Sequence, residues 1–320
     1  MCRMTSVRTL AVLLLCALHF WSAEACGQWY GSADFLIPTR TAGTDLAFQY
    51  HETTSGTDTT VSSAPILTAS DVRPDFTAAG RFTVGVRHGT FGVEGSYLLT
   101  KDWVSSASAS DPDALMASPF TLTGSTPDPL FDDNTFVSVR YQTELANMEL
   151  NGLQEVAANE VSTLDVLYGV RYMKIGESLD YMTINAGGDD VRWVSTENQM
   201  IGPQFGLAGH LVAPGGMFNL TLKGGYLFNS IDRSREVHNS AAEIDSFVAD
   251  GSDQGSLMGE LGIEYQFNAT NWLSWRLGYQ VIGVSDVGLA NLNLIEGSDS
   301  GVQTSGVWYQ LPYTGAVIYF

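Results

Sequence analysis

The clearest pattern in the chain is a strict alternation of apolar and polar side chains between Leu257 and Val281. Both arms of this stretch repeat with a period of two, which is the period of a β-strand. The intervening Asn268–Asn271 (NATN) predicts a turn, because Asn tolerates left-handed backbone angles. Each arm is about ten residues long, the length that a tilted strand needs to cross a bilayer. The stretch therefore predicts a hairpin with one apolar and one polar face.

The same alternation recurs along the chain and predicts ten strands whose connections alternate between short and long. Short turns are predicted near Gly89, Gly152, Pro214 and Asn268, and a bulge or bend at Pro203. Polar connections are predicted at residues 45–72, 101–134, 187–190, 231–255 and 286–311. Short periplasmic turns and long external loops are typical of outer-membrane barrels, whereas a soluble sandwich has no reason to sort its loops this way. The predicted fold is all-β, a transmembrane antiparallel up-and-down β-barrel of about ten strands.

The first 25 residues have the pattern of a secretory signal peptide. Two arginines precede an apolar run that is too short to span a membrane, and Ala23–Glu24–Ala25 is a small-x-small cleavage site. Cleavage would leave residues 26–320 as a single barrel domain with one cysteine, Cys26. One cysteine excludes an internal disulfide and a cysteine-based metal site. The position of Cys26 also leaves lipidation open as an alternative.

The chain ends in an alternating stretch that closes on Phe320. This end resembles the C-terminal strand of bacterial outer-membrane proteins. In that class the terminal strand is read by the barrel-insertion machinery, so Phe320 is predicted to be an insertion signal.

The charge of the chain is strongly unbalanced, with 35 acidic against 15 basic side chains and a net charge of −20. Most of the acids fall in the predicted external connections. They could bridge through divalent cations to an anionic envelope, or they could only keep the loops soluble. No calcium-loop spacing occurs, and neither a metal site nor a cofactor is predicted. Nucleic-acid binding is excluded, because no basic patch is present to neutralise phosphates.

In a membrane barrel the polar parity of each strand faces the lumen and the apolar parity faces lipid. The charges on the polar parity nearly balance, which fits either a constriction that selects solutes or a ladder of ion pairs that fills a narrow barrel. The predicted lumen charges are Arg81, Arg87, Glu94, Arg140, Glu144, Asp165, Arg171, Lys223, Glu260, Glu264 and Arg276. The predicted lipid-facing or interfacial aromatics are Tyr97, Tyr141, Tyr168, Tyr172, Tyr226, Phe228, Tyr265, Phe267, Trp275 and Tyr279.

Catalytic motifs are absent from the sequence. Neither a G-x-S-x-G nor an H-E-x-x-H pattern occurs, and no glycine-rich phosphate loop follows a strand. An outer-membrane lipid hydrolase would need Ser and His together, and Ser96 and His88 lie on strands predicted to pair. Their residue types are common in any barrel, so the prediction is that the protein is not an enzyme.

Four runs resemble one known family. They are DVRPDFTAAGRFTVGVRHGTFGVEGSYLL from Asp71 to Leu99, YQTELANMELN from Tyr141, LYGVRYMKIGESL from Leu167 and STENQMIGPQFGL from Ser195. In this order they are similar to the conserved blocks of the putative beta-barrel porins of planctomycete-type bacteria. The resemblance implies an outer-membrane barrel and carries over no catalytic residue.

The predicted function is therefore that of an outer-membrane barrel, either a narrow porin-like passage or a structural envelope protein. The expected partners are outer-membrane lipid and the insertion machinery, with small solutes if the lumen is open. Two other classes remain as alternatives. One is a secreted β-sandwich that binds or adheres at the cell surface, and the other is the lipid hydrolase.

Overall fold

The strands of the protein close into a ring. The computed structural model describes residues 27–42, 47–55, 58–72, 76–100, 102–111, 116–117, 134–185, 188–239, 244–294 and 301–320. In chain order the strands are β1 (Gln28–Leu36), β2 (Thr39–Ala42), β3 (Ala47–Ser55), β4 (Asp58–Thr68), β5 (Ala79–His88), β6 (Phe91–Thr100), β7 (Trp103–Ser110), β8 (Met116–Ala117), β9 (Phe136–Ala158), β10 (Ser162–Asn185), β11 (Gly188–Ala213), β12 (Gly216–Asn239), β13 (Ile244–Asn268), β14 (Leu273–Gly288) and β15 (Thr304–Tyr319).

Ten of these strands form the ring, in the order β1, β5, β6 and then β9 to β15, and β15 pairs back with β1. All neighbours are antiparallel, so the predicted up-and-down barrel is confirmed. β2 continues the direction of β1 and pairs with β15. In the same way, β7 continues the direction of β6 and pairs with β9. No helix in the described part of the chain has the length and apolarity of a membrane span.

One end of the barrel carries both ends of the ring-forming chain and the turns of the β5–β6, β9–β10, β11–β12 and β13–β14 hairpins. The short turn predicted near Gly152 was wrong in position, because Gly152 lies inside β9 and the turn follows at residues 159–161. Gly89 and Gly215 have φ values of 57° and 78°, which non-glycine residues rarely adopt, and each lies in the turn of a hairpin. The predicted NATN turn lies here as well, where the amides of Ala269 and Thr270 both donate to the carbonyl of Leu273 at 3.0 Å. In outer-membrane barrels this short-turn end is periplasmic.

The other end of the barrel rises far above the bilayer. β5 and β6 have 10 residues each, whereas β9 to β13 have 23 to 26. At about 3.3 Å per residue, the longer strands extend roughly 80 Å along their axes. The predicted connections at 187–190 and 231–255 were therefore wrong over most of their length, because these residues continue the β10–β11 and β12–β13 hairpins.

The error has a physical cause that β12 shows clearly. Its outward-facing positions are apolar from Phe218 to Phe228 and polar from Ser230 to Glu236. From Phe218 to Phe228 the tilted strand rises about 25 Å, the height of a bilayer's apolar band. Above this level the outer wall meets water, so it becomes polar while the strand continues. Sequence reasoning took the loss of apolar residues as the end of the strand.

A second, three-stranded sheet of β4, β3 and β8 covers the upper lumen. Its Phe48, Leu67 and Met116 pack with Val139 and Tyr181 of the barrel wall, and all five are at most 4% exposed. The predictions of loops at 45–72 and 101–134 were wrong where β3, β4, β7 and β8 form, whereas residues 118–133 of the second loop lie outside the described residues.

The predicted irregularity at Pro203 is not a bulge. The β11–β12 pairing omits Gly202 and Pro203, but the register is the same on both sides of them. Because Pro has no amide hydrogen, one ladder bond is lost without any shift of the strand.

Candidate functional site: the filled lumen

Four charged side chains from four strands meet inside the barrel. Arg171 lies 2.8 Å from Glu149 and also pairs with Glu260, and Lys223 lies 2.7 Å and 3.0 Å from the same two carboxylates. Gln204 accepts from Arg171 Nε at 2.8 Å and donates to Glu149 at 3.0 Å. The two acids and two bases cancel, as buried charges require. We call Arg171, Glu149, Lys223 and Glu260 the charge quartet.

A second network lies on the opposite side of the lumen. Asp34 accepts from Arg81 Nε at 2.7 Å and from Arg276 at 2.7 Å and 2.6 Å. Arg276 also lies 3.5 Å from Glu264, which accepts the hydroxyl of Tyr313 at 2.9 Å. The guanidinium of Arg81 stacks over the Tyr313 ring at 4.2 Å. The side chain of Asp34 has no exposed surface, so this one carboxylate neutralises much of the charge of two largely buried arginines.

A third group lies nearer the short-turn end. Arg87 donates to both oxygens of Asp165 at 2.9 Å and 2.7 Å, and His210 Nε2 lies 3.4 Å from the same carboxylate. On the neighbouring side, the hydroxyl of Tyr30 donates to Glu94 at 2.7 Å. Nine of the eleven predicted lumen charges belong to these three groups, and their side chains face the interior.

Above the charged groups the lumen is filled by apolar side chains. Leu145, Met173, Ile175 and Met200 point inward at successive levels and have no exposed surface at all. A water-filled channel would leave the side chains along its wall partly accessible. Their complete burial shows that the lumen is packed at this height, as in a barrel whose interior is just wide enough for side chains.

The chain itself contributes to this packing through residues 286–294, which we call the inward segment. The β14–β15 register shifts after Val284, and Asp286 has a φ of 56°, unusual for a residue other than glycine. The Asp286 carbonyl accepts from Asn229 at 3.0 Å, Gln254 at 2.6 Å and Ser256 at 3.3 Å. Val287, Leu289, Ala290 and Leu294 then lie inside the barrel with no exposed surface.

Polar groups of the wall bind the backbone of the inward segment. Asn198 forms two bonds with Gly288, donating to its carbonyl at 2.9 Å and accepting from its amide at 2.7 Å. Glu177 accepts from the amide of Ala290 at 2.9 Å. These bonds satisfy backbone groups that would otherwise be buried without partners. The sequence prediction of a long external loop at 286–311 was therefore wrong for residues 286–294. It was also wrong for residues 304–311, which form the first half of β15, whereas residues 295–300 lie outside the described residues.

Tyr141 is a correction to the predicted lipid-facing set. It points into the lumen, is 5% exposed, and accepts a hydrogen bond from Arg40 at 2.6 Å. Arg40 also pairs with Glu177, so one buried arginine links β2, β9 and β10 to the inward segment. Above the bilayer the apolar side chains of β9 face the interior and the polar ones face outward, as in a water-soluble protein.

Arg140 and Glu144 are corrections for the same reason. Both were predicted to line the lumen, but Arg140 is exposed on the outer wall and Glu144 pairs there with Lys174 at 2.8 Å. The strand segment from Phe136 lies above the lipid level, where polar side chains face water outside the barrel.

The other predicted aromatics lie on the outer wall. Tyr168, Tyr226, Phe228, Phe267, Trp275 and Tyr279 are exposed there, and Tyr97, Tyr172 and Tyr265 are half-buried on the same face. The next outward-facing residue of β10 after Tyr172 is Lys174. Tyr172 therefore lies at the upper edge of the apolar band, where aromatic girdles occur.

Sequence reasoning missed Asp34, Arg40, Glu149 and Glu177. Glu149 could have been found, because Asn147, Glu149 and Asn151 form a polar run on one parity of β9. Arg40 and Asp34 have no such signal, since Pro38 breaks the first strand between them. Their role depends on partners that are distant in the sequence.

The pair predicted for a lipid hydrolase does not meet. His88 lies opposite Phe91 in the turn, whereas Ser96 lies opposite Thr83, five residues back along β5. At about 3.3 Å per residue the two positions are roughly 16 Å apart along the strand. In the described ranges, no three or more His, Cys, Asp or Glu side chains are grouped in a way that could hold a metal ion.

The left-handed backbone of Asp286 gives a direct test of the inward segment. We expect Asp286→Val to lower the free energy of unfolding by about 1–3 kcal/mol, because a β-branched side chain is strained at positive φ. Asp286→Gly should change it little. Urea unfolding in detergent micelles, followed by tryptophan fluorescence, measures both. Asp253→Val, on the outward face of β13, is the matched control and should be close to neutral; equal losses at both sites would contradict the strained turn.

One solved structure shares this architecture. The solved structure of the outer membrane protease OmpT from Escherichia coli superposes with a TM-score of 0.57 at 11% identity, covering 94% of this chain and 99% of that one. At this identity the likeness shows a shared fold alone. A major outer membrane protein from Thermus thermophilus aligns at 12% identity, covering 90% of this chain and 99% of that one, with a TM-score of 0.34.

The translocator domain of the autotransporter NalP from Neisseria meningitidis is also 12% identical, covering 98% of this chain and 96% of that one, with a TM-score of 0.38. No curated protein sequence matches the chain. Residues 43–295 match the family profile described as putative beta barrel porin-7 (BBP7). Because the match spans most of the chain, the protein belongs to the BBP7 family of putative β-barrel porins.

Proposed function

We propose that this protein is a structural barrel of the outer membrane whose lumen is closed in the resting state. The observation that carries the proposal is the complete burial of Leu145, Met173, Ile175 and Met200 beneath the inward segment. The charge quartet and the Asp34 network occupy the lumen below them. A barrel whose lumen is blocked by such a packed layer adds a rigid, lipid-anchored wall to the envelope without allowing solutes to diffuse across it.

Conductance across a planar bilayer tests this proposal. The refolded mature chain should insert and give no discrete conductance steps, because no continuous water path crosses the packed layer. A general porin recorded in the same bilayers serves as the positive control. A gel shift between heated and unheated samples shows that the inserted chain is folded. Discrete, voltage-tolerant steps from the wild-type chain would contradict a closed lumen.

A narrow solute passage is the second candidate. It is favoured by the charged lining at membrane depth and by the strained turn at Asp286, with which the inward segment begins. This function requires the segment to leave the lumen. Glu177→Ala combined with Asn198→Ala removes two of the wall groups that hold it. If the double variant conducts while the wild type does not, the barrel is a gated passage; if both are silent, the structural role is favoured.

The proposal assigns no chemical step to the barrel. Within the described residues, His210 and Asp165 form a histidine–carboxylate contact in the lumen. His210 is also hydrogen-bonded to Asn219 at 2.8 Å, and Asp165 accepts from Arg87. The proteolytic activity named for the Escherichia coli relative is therefore not proposed for this chain.

The proposed partners are the barrel-insertion machinery and outer-membrane lipid. Phe320 is 77% exposed beside β1, where its amide donates to Trp29 at 2.9 Å, so its ring is accessible on the outer wall. This placement supports a role for Phe320 in recognition by the insertion machinery after signal cleavage. The remaining partner is the lipid that surrounds the apolar band.

A further inference from the structure

The lipid-facing wall carries a groove of about 390 Å³ near the short-turn end. Its walls are the side chains of Leu211, Phe218, Leu220 and Ile263, all about half exposed and all directed outward. Gly209 lies between Leu207 and Leu211 on β11 and opposite Leu220 on β12. The missing side chain of Gly209 therefore leaves a gap in an otherwise continuous row of leucine and isoleucine.

The gap at Gly209 is not required by the packing of the protein. A Cβ atom added there would meet no other atom within 4 Å, whereas one added at Gly202 or Gly206 of the same strand would approach a carbonyl oxygen to within 2.0 Å or 2.4 Å. Those two glycines face the crowded interior. Gly209 thus keeps an open space on the outer wall although a larger side chain would fit.

We propose that this groove holds an acyl chain of a phospholipid from the periplasmic leaflet. The groove is continuous with the apolar band, so acyl chains are the molecules that reach it. An unfilled groove would forfeit the dispersion contacts of its walls, so dispersion favours a chain that fills it. A chain bounded by Phe218 and Leu220 on one side and by Leu211 on the other loses the freedom that ordinary boundary lipid keeps. The proposal depends on the lipid-facing wall and not on whether the lumen is closed.

Gly209→Leu tests the proposal, because the space is open and the new side chain would fill it. Gly259→Leu is the matched control. Gly259 also faces lipid, on β13, and its added Cβ would likewise meet nothing within 4 Å, but it does not line the groove. The three chains are refolded into vesicles of phosphatidylethanolamine and phosphatidylglycerol and transferred to a mild detergent. Native mass spectrometry then counts the phospholipids that each folded barrel retains.

We expect the wild type and Gly259→Leu to retain a bound phospholipid, and Gly209→Leu to lose it. Equal retention by all three chains would overturn the proposal. A second measurement does not depend on a variant that folds. Phospholipid with a photoreactive group in mid-chain should label wild-type peptides that contain Leu211 and Phe218 more than the rest of the apolar band. Uniform labelling around the barrel would mean ordinary boundary lipid and would also overturn it. Neither result changes what the conductance recordings should show, so a failure of this proposal is distinguishable from a failure of the closed lumen.

Discussion

Arg171→Met should destabilise the barrel by about 3–5 kcal/mol, because removal of one partner leaves buried carboxylates uncompensated. Glu149 and Glu260 would share Lys223 alone, and their side chains are only 4% and 3% exposed. Met can fill much of the space of the arginine stem, so the loss would come from charge and not from a cavity. Urea unfolding of the refolded chain in detergent micelles measures the change.

The matched control is Arg140→Met. It makes the same chemical change at an exposed position on the outer wall of β9, where we expect less than about 0.5 kcal/mol. Adding Glu260→Gln to Arg171→Met should recover part of the loss, because Glu149 and Lys223 then remain as a neutral pair 2.7 Å apart. A loss below about 1 kcal/mol for Arg171→Met would show that water reaches the quartet. That result would contradict the closed lumen.

The sequence predicted the ring well where the strands lie within the lipid. In that zone one face must be apolar, and the period of two then assigns inside and outside without knowledge of the partners. Lys223 and Phe228 of β12, for example, are assigned to lumen and lipid by parity alone. The Leu257–Val281 hairpin follows the same rule over its whole length.

Above the lipid the same rule gives the opposite result. Tyr141 was assigned to lipid and Arg140 to the lumen, and both assignments were wrong because the solvent outside the barrel had changed from lipid to water. The height at which the change occurs depends on where the bilayer ends. The residue types of β9 alone do not reveal that height. The same polarity made residues 231–255 look like a loop.

The inward segment could not be predicted for a different reason. Five of the eight residues from Val287 to Leu294 are apolar, which indicates burial but not where it occurs. The place depends on Asn198, Glu177 and Asn229 from three distant strands. Local pattern contains no information about such contacts. The long-range pairing of Arg40 with Tyr141 and Glu177 was missed for the same reason.

Asp34→Ala should have an effect as large as that of Arg171→Met, with the opposite sign of uncompensated charge. Arg81 and Arg276 both pair with this carboxylate, and their side chains are each 14% exposed. Without it, two guanidinium groups would share one buried site in which the nearby carboxylate is Glu264, 3.5 Å from Arg276. Their other contacts, to Gln280, Ser32 and the Tyr313 ring, are uncharged. We expect a loss of about 3–5 kcal/mol in the free energy of unfolding.

The control for this change is Asp253→Ala on the exposed outer face of β13, which should be close to neutral. Combining Asp34→Ala with Arg276→Gln removes the mutual repulsion of the arginines and should restore part of the stability. If instead the second substitution adds its own full loss, repulsion between the arginines is not the cause. Asp34 lies on β1, and of its two partners Arg276, on β14, is the one across the β1–β15 closure. A large loss would therefore also show that this carboxylate helps to hold the ring closed.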